Sequence, residues 1–219
     1  SWIGQWRLAM SYGRLDDERE DFPNAHFFAM RVTWKPHDRV EIGFSRSAQL
    51  CGDGRDCGLD TVWDMLIAND NDQAPEDQPG NQLAGVDFRW SLPWLPVALY
   101  GQGIGEDEAN KMPSKYLGQF GLETWGGMGA ATWRVHVEYA DTACGFNDSE
   151  PDFGCAYRNV IYTDGYQHLG RSIGHALDGD GQQWAIGALW VNGDGSSWEV
   201  AAQTAKLNRK GANPAHTLT

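Results

Sequence analysis

Thr132-Trp133-Arg134-Val135-His136-Val137-Glu138-Tyr139 alternates without a break. Trp133, Val135, Val137 and Tyr139 fall on one side of an extended chain, and Thr132, Arg134, His136 and Glu138 on the other. A period of two is the signature of a strand with one apolar and one polar face. The same pattern recurs along the chain. In Ala29–Lys35, Met30, Val32 and Trp34 oppose Arg31, Thr33 and Lys35; in Arg39–Arg46, Val40, Ile42 and Phe44 oppose Arg39, Glu41 and Ser45. Ala84, Val86, Phe88, Trp90 and Leu92 oppose Asp87, Arg89 and Ser91, while Trp184–Trp190 and Trp198–Ala202 repeat the apolar side. Weaker strands are expected at Ile3–Tyr12, Val97–Gly105 and Lys115–Trp125.

That makes nine expected strands of about ten residues each, the length that crosses a bilayer at a tilt near 45° and longer than the 5–6 residues usual in soluble sheets. The intervening segments alternate in kind. Pro36–Asp38, Pro93–Pro96, Gly126–Ala130 and Asn192–Ser196 are short; Gly13–Ala25, Gln49–Asn81, Glu106–Ser114 and Asp141–Gly181 are long. Outer-membrane barrels sort their connections in this way, short turns at one mouth and long loops at the other. The fold expected is all-β: an antiparallel up-and-down transmembrane barrel. Apolar residues then face lipid, and Arg31, Glu41, Asp87, Arg89, Glu123, Arg134 and Glu138 form a charge ladder in an aqueous lumen. Trp34, Trp90, Trp94, Trp125, Trp190 and Trp198, near the short-turn ends, are expected to form an aromatic girdle. Alternation alone does not separate this barrel from one with its apolar face inside; strand length and loop sorting decide.

The 219 residues carry 30 Asp and Glu against 17 Lys and Arg, a net charge of −13. No basic face suits a phosphate backbone, so nucleic acid is excluded as a partner. No apolar run is long enough for a membrane-spanning helix. Ser1-Trp2-Ile3 reads as the middle of a strand, and further sequence is expected upstream. The four cysteines allow three pairings; the local ones, Cys51 with Cys57 and Cys144 with Cys155, each fall within one loop and imply an oxidising compartment. Asp60–Ala68 has helical spacing behind a capping Asp60.

Several stretches then resemble the capsule assembly protein Wzi family. They include Trp34-Lys35-Pro36, Glu41-Ile42-Gly43-Phe44-Ser45-Arg46-Ser47-Ala48-Gln49 and Pro79-Gly80-Asn81-Gln82-Leu83-Ala84-Gly85. Leu92-Pro93-Trp94-Leu95-Pro96-Val97-Ala98-Leu99-Tyr100-Gly101-Gln102, Gly105-Glu106-Asp107-Glu108-Ala109 and Pro113-Ser114-Lys115-Tyr116-Leu117 continue the match. Glu138-Tyr139-Ala140-Asp141-Thr142-Ala143-Cys144 and Arg171-Ser172-Ile173-Gly174-His175-Ala176-Leu177-Asp178-Gly179-Asp180 carry it to the last long loop. The resemblance implies part of an 18-stranded outer-membrane barrel, its C-terminal portion, with the rest of the wall and a periplasmic helical bundle outside residues 1–219. It also implies a lectin for capsular polysaccharide at the Gram-negative cell surface.

The function expected is therefore a non-enzymatic, monomeric outer-membrane protein that binds and organises capsular polysaccharide, with outer-membrane lipid around it. The rivals are a porin-like channel and a secreted soluble lectin or glycosidase. Candidate glycan contacts are loop residues pairing a ring face with polar groups: Asp60, Trp63, Asp64, Phe146, Asn147, Phe153 and Tyr157. No catalytic residue, metal site or cofactor is expected. Asp70-Asn71-Asp72 lacks the rest of a calcium loop. Asp178-Gly179-Asp180-Gly181 and Asn192-Gly193-Asp194-Gly195 are turn formers, and His175, with Ser172 and Asp178 nearby, lacks a nucleophile elbow.

Overall fold

A computed structural model describes residues 3–55, 57–58, 80–109, 112–210 and 215–218. The expected helix at Asp60–Ala68 lies outside them. The strands are β1 (Gln5–Arg14), β2 (His26–His37), β3 (Val40–Leu50), β4 (Gly80–Ser91), β5 (Val97–Ala109) and β6 (Met112–Met128). After these come β7 (Ala131–Asp141), β8 (Gln167–His168), β9 (Arg171–Ser172), β10 (Gly181–Val191), β11 (Ser197–Leu207) and β12 (Ala215–Leu218). One antiparallel sheet takes them in the order β1-β2-β3-β4-β5-β6-β7-β10-β11-β12, and β8 with β9 forms a separate small hairpin. Nine of the strands are long, from 10 to 17 residues. The sheet is not closed: among the described residues β1 pairs only with β2, and β12 only with β11.

The short connections, residues 38–39, 92–96, 129–130 and 192–196, lie at one end; the long connections 15–25 and 142–180 lie at the other. Two expectations change. Glu106–Ser114 is not a loop, because β5 and β6 stay paired as far as Ala109 and Met112 and extend as a hairpin. The short β12 was not foreseen, since four residues are too few to display a period.

Register carries the two faces across every strand. Glu41 pairs with Arg89, Arg89 with Tyr100, Tyr100 with Gly121 and Gly121 with Glu138, all on one face. Ile42, Phe88, Gly101, Phe120, Tyr139 and Trp184 make the equivalent row on the other. The apolar row is the exposed one: Phe88 is 43% exposed and Ile186 50%, whereas Glu123 is only 8% exposed. A soluble sheet would show the reverse. Trp6 stacks on Trp34 at 5.5 Å, and Trp90, Trp94 and Trp198 stand exposed toward the short-turn end. Trp125 does not join them. It pairs with Arg134, two residues beyond Glu123, and so lies on the inner face.

Glycines let large rings lie flat on the sheet. The Tyr100 ring crosses Gly121, and the His136 ring crosses Gly187; a Cβ at either site would overlap the ring. We expect Gly121→Val to lower stability by about 1–3 kcal/mol through overpacking. Gly103→Ala, where a Cβ meets only Tyr116 at 3.6 Å, should be near neutral. Thermal melts in detergent compare the two.

Candidate functional site

The inner face is built in tiers. Nearest the short turns is a charge ladder. Arg31 on β2 donates to Asp87 on β4 through Nε at 3.0 Å and Nη2 at 2.6 Å, and Nη2 lies 3.6 Å from Glu41 on β3. It reaches past β3 because Gly43 leaves the way open; a Cβ there would sit on the Asp87 carboxylate. Arg89 pairs with Glu123, Arg134 approaches Glu123 at 3.8 Å, and the Tyr100 hydroxyl donates to Glu138 at 2.7 Å. All seven expected ladder residues thus lie on one face, and Tyr100 bridges the last of them. Several of these side chains are about half exposed, so each pair contributes little alone. Their alternation of sign spares every carboxylate an uncompensated neighbour.

At the long-loop end, residues 142–180 fold over the inner face as a cap. The buried apolar residues concentrate here: Leu83 and Leu117 from the wall meet Cys144, Ala156, Tyr157 and Tyr166 from the cap. Both expected disulfides are present, with Cα separations of 5.0 Å for Cys51–Cys57 and 6.1 Å for Cys144–Cys155. Tyr162 donates to the Cys51 carbonyl at 2.8 Å and Tyr166 to the Asn81 carbonyl at 3.1 Å; Gln49 Nε2 donates to the Gly165 carbonyl at 2.7 Å. Burial pushes the Tyr157 and Tyr162 hydroxyls up to about 12, and that of Tyr166 higher still. These phenols stay protonated; Tyr162 and Tyr166 donate, whereas Tyr157 accepts.

The far edge of the cap is latched to residues 15–25. Arg19 holds Asp21 with two hydrogen bonds, at 2.9 and 2.8 Å, and donates to the carbonyls of Gln167 and Gly165. The side chains of this pair are 2% and 1% exposed. Asp16 accepts the Leu169 backbone N–H at 2.9 Å, the main cause of its lowered pKa, and lies 3.3 Å from His168. The near end is stapled by Arg209, which engages Asp141 at 2.5 Å and Asp180 at 3.3 Å and stacks on Phe153 at 4.9 Å. Alternation could not have pointed to Asp16, Asp21, Tyr162, Tyr166, Asp141 or Arg209. Arg19 did carry a signal, as the one cation in the acidic run Asp16–Asp21.

The glycan candidates separate. Asp60, Trp63 and Asp64 lie outside the described residues. Asn147 is exposed, and Phe153 is partly covered by Arg209. Tyr157, expected to be exposed, is only 4% exposed and accepts the His175 N–H, so its ring faces protein on the cap's underside. Phe146 packs over Gly118 and 6.1 Å from Phe120, on the apolar outer face. It extends that face rather than offering a platform above it. His26, Cys51 and Cys57 cluster as metal ligands would, but the two sulfurs are bonded to each other. The Ser172 hydroxyl donates to the backbone carbonyl of His175, not to its ring.

Two outcomes follow for the cap. Arg19→Met leaves Asp21 buried without its partner and should cost about 3–5 kcal/mol, with most of the loss restored by Asp21→Asn in the same chain; proteolytic nicking at Arg158 and Arg171, both exposed, reports it. Burial lowers the His175 pKa below 6.5, against a smaller opposing effect of Glu138. The unfolded cap therefore takes up a proton first, and stability is lost as pH falls from about 6.5 through the lowered value. Hydrogen exchange in residues 157–175 should accelerate over that window, beyond the intrinsic pH effect, and His175→Gln should flatten the response.

Comparison with known proteins gives this arrangement its context. The chain matches the family described as capsule assembly protein Wzi over residues 1–219. It is 34% identical over 212 residues to an uncharacterized 55.8 kDa protein in the cps region of Klebsiella pneumoniae, covering 95% of this chain and 41% of that protein. It is similar, with a TM-score of 0.81 and 32% identity, to the solved structure of Wzi from Escherichia coli, described as an outer membrane protein involved in group 1 capsule assembly and a carbohydrate binding β-barrel. That match covers 95% of this chain and 44% of the other. The chain thus spans less than half the length of these relatives, and it belongs to the capsule assembly protein Wzi family.

Proposed function

We propose that these residues form part of the wall, and the cap, of an outer-membrane barrel that binds and organises capsular polysaccharide at the cell surface without enzymatic activity. One observation carries the reading: the sheet's large apolar side chains stand exposed on one face, while its ionised side chains pair with one another on the face that the cap folds over. That distribution is favourable only where the outer solvent is lipid. The nine long strands are then half of a closed wall of 18, as the family resemblance implies, and the barrel works as a monomer. The capped end points outward from the cell, where long loops meet polymer. Asn147 and Phe153, with residues 60, 63 and 64, are the glycan contacts of that surface.

A channel is the weaker reading, because the cap and the ladder both occupy the inner face. Planar bilayers containing the whole protein should show little conductance; large steady openings would favour the channel. Phe88→Lys on the outer face should destabilise the protein by about 2–4 kcal/mol in lipid vesicles, as a cation near mid-bilayer does, measured by urea unfolding; a neutral result would remove the lipid-facing assignment. Immobilised protein should retain polysaccharide extracted from encapsulated cells, and lose retention when the loop contacts are replaced by alanine.

A further inference from the structure

We propose that the outer face of the wall carries, at its loop end, a seat for the phosphate groups of a membrane lipid, with Arg14 and Arg46 as the groups that hold them. The inference deepens the lipid-facing part of the proposed function and rests on it. Register sorts the cations of the long strands by face. Arg7 pairs with Thr33, in phase with Arg31 and the ladder. Arg14 falls on the opposite face: it pairs with His26, His26 pairs with Leu50, and Leu50 is in phase with Phe44. Arg46 shares that outer face, paired with Met30 and with Ala84. Lys206 does so farther round the wall, paired with Gln182, which is in phase with Trp184.

These three cations stand where the apolar face ends. Arg14 is the last residue of β1, and Lys206 is the last but one of β11. Arg46 is rooted lower in β3, but its Nη2 donates to Gln82, which pairs with Ala48, one row nearer the loops. A cationic side chain rooted in an apolar band with its head leaning to the edge is snorkelling. Below these residues the same face shows exposed Leu8, Phe44 and Val200. Asp141, in the same row as Lys206, is already held by Arg209. Asp17 and Glu18 belong to the loop beyond β1. A chain of net charge −13 thus sets Arg14 and Lys206, without an ion pair among the described residues, at the rim of its outer face. That height is where a membrane passes from acyl chains to headgroups, and there the complementary group is a lipid phosphate. Arg14 and Arg46 are rooted about 10 Å apart across the sheet and about 13 Å along it. Between them lie Tyr12, Phe28 and Met30 on the same face. Tyr12 is exposed, and its hydroxyl lies 2.7 Å from His26 Nδ1. Two guanidinium groups above an apolar floor suit a headgroup bearing phosphate with acyl chains beneath it. Free phosphate would use the arginines and gain nothing from the floor.

The test uses the whole protein in detergent and counts bound lipid by native mass spectrometry. The probes are a diphosphoryl disaccharide lipid of the outer leaflet, the same lipid with both phosphates removed, and inorganic phosphate. The phosphorylated lipid should bind about tenfold more tightly than the dephosphorylated one, and millimolar inorganic phosphate should not displace it. Arg14→Gln alone should reduce the preference, and Arg14→Gln with Arg46→Gln should abolish it. Arg46→Lys should keep part of it. Arg7→Gln, on the inner face of the same strand, should leave it unchanged. Heat-dependent gel migration reports whether each variant is folded; an unfolded double variant leaves Arg14→Gln to decide. Equal binding of the two lipids, indifference to Arg14→Gln, or an equal loss in Arg7→Gln would overturn the seat. Displacement by inorganic phosphate would overturn its assignment to lipid. If Phe88→Lys destabilises the protein in vesicles while removal of the lipid phosphates changes nothing, only this seat is removed. If Phe88→Lys is neutral, the lipid-facing assignment and the seat fall together.

Discussion

A paired strand has two faces and no third place for a side chain, and in this sheet the exposed large apolar side chains take one face and the ionised ones the other. That constraint orders the rest. Backbone amides are satisfied within the ladder of antiparallel strands, so the sheet can meet an apolar solvent on its outer side. Carboxylates and guanidinium groups on the inner side then stand near one another. Signs must interleave, as they do along Glu41, Arg31, Asp87 and again along Arg89, Glu123, Arg134. Gly43 and Gly121 are part of the same solution: the first lets Arg31 reach past β3 to β4, and the second lets Tyr100 lie flat and reach Glu138.

With one face of the sheet left exposed, the buried apolar residues gather elsewhere, at the loop end. The cap meets the wall through tyrosines rather than aliphatic residues. The reason is local: strand ends and loop backbone leave carbonyls that have no strand partner, such as those of Cys51 and Asn81. A buried phenol fills apolar volume and satisfies one such carbonyl at once. The Cys51–Cys57 disulfide holds the chain at the first of these carbonyls, and Cys144–Cys155 holds the cap's own turn. The latch of Arg19 and Asp21 and the staple of Arg209, Asp141 and Asp180 then fix the two margins of the cap.

The wall was legible in the sequence because a period of two needs only six or eight residues to show itself. The two faces could be read from Arg39–Arg46 or Thr132–Tyr139 alone; the ladder and the sorting of the turns emerged from the repeat of that pattern along the chain. What alternation does not encode is where a strand stops. Glu106–Ser114 is rich in polar residues and reads as loop, yet β5 and β6 simply continue beyond the apolar band. Trp125 was assigned by its place near a turn, whereas parity with Glu123 determines its face. The cap was less legible still. Tyr157 and Phe146 looked alike as loop aromatics, but one turns under the cap and the other onto the outside of the wall; only long-range packing separates them.

The acidity of the loops and the acidity of a polymer would oppose each other if binding were a matter of surface charge alone. The tiers of the inner face suggest how the conflict is relieved. Carboxylates around the cap are committed to structural partners: Asp16 to the Leu169 amide, Asp21 to Arg19, Asp141 to Arg209. A carboxylate already accepting hydrogen bonds from a guanidinium or amide presents less uncompensated charge than its formal count implies. Net charge therefore describes this protein's distant field, while the local field depends on which acids are paired.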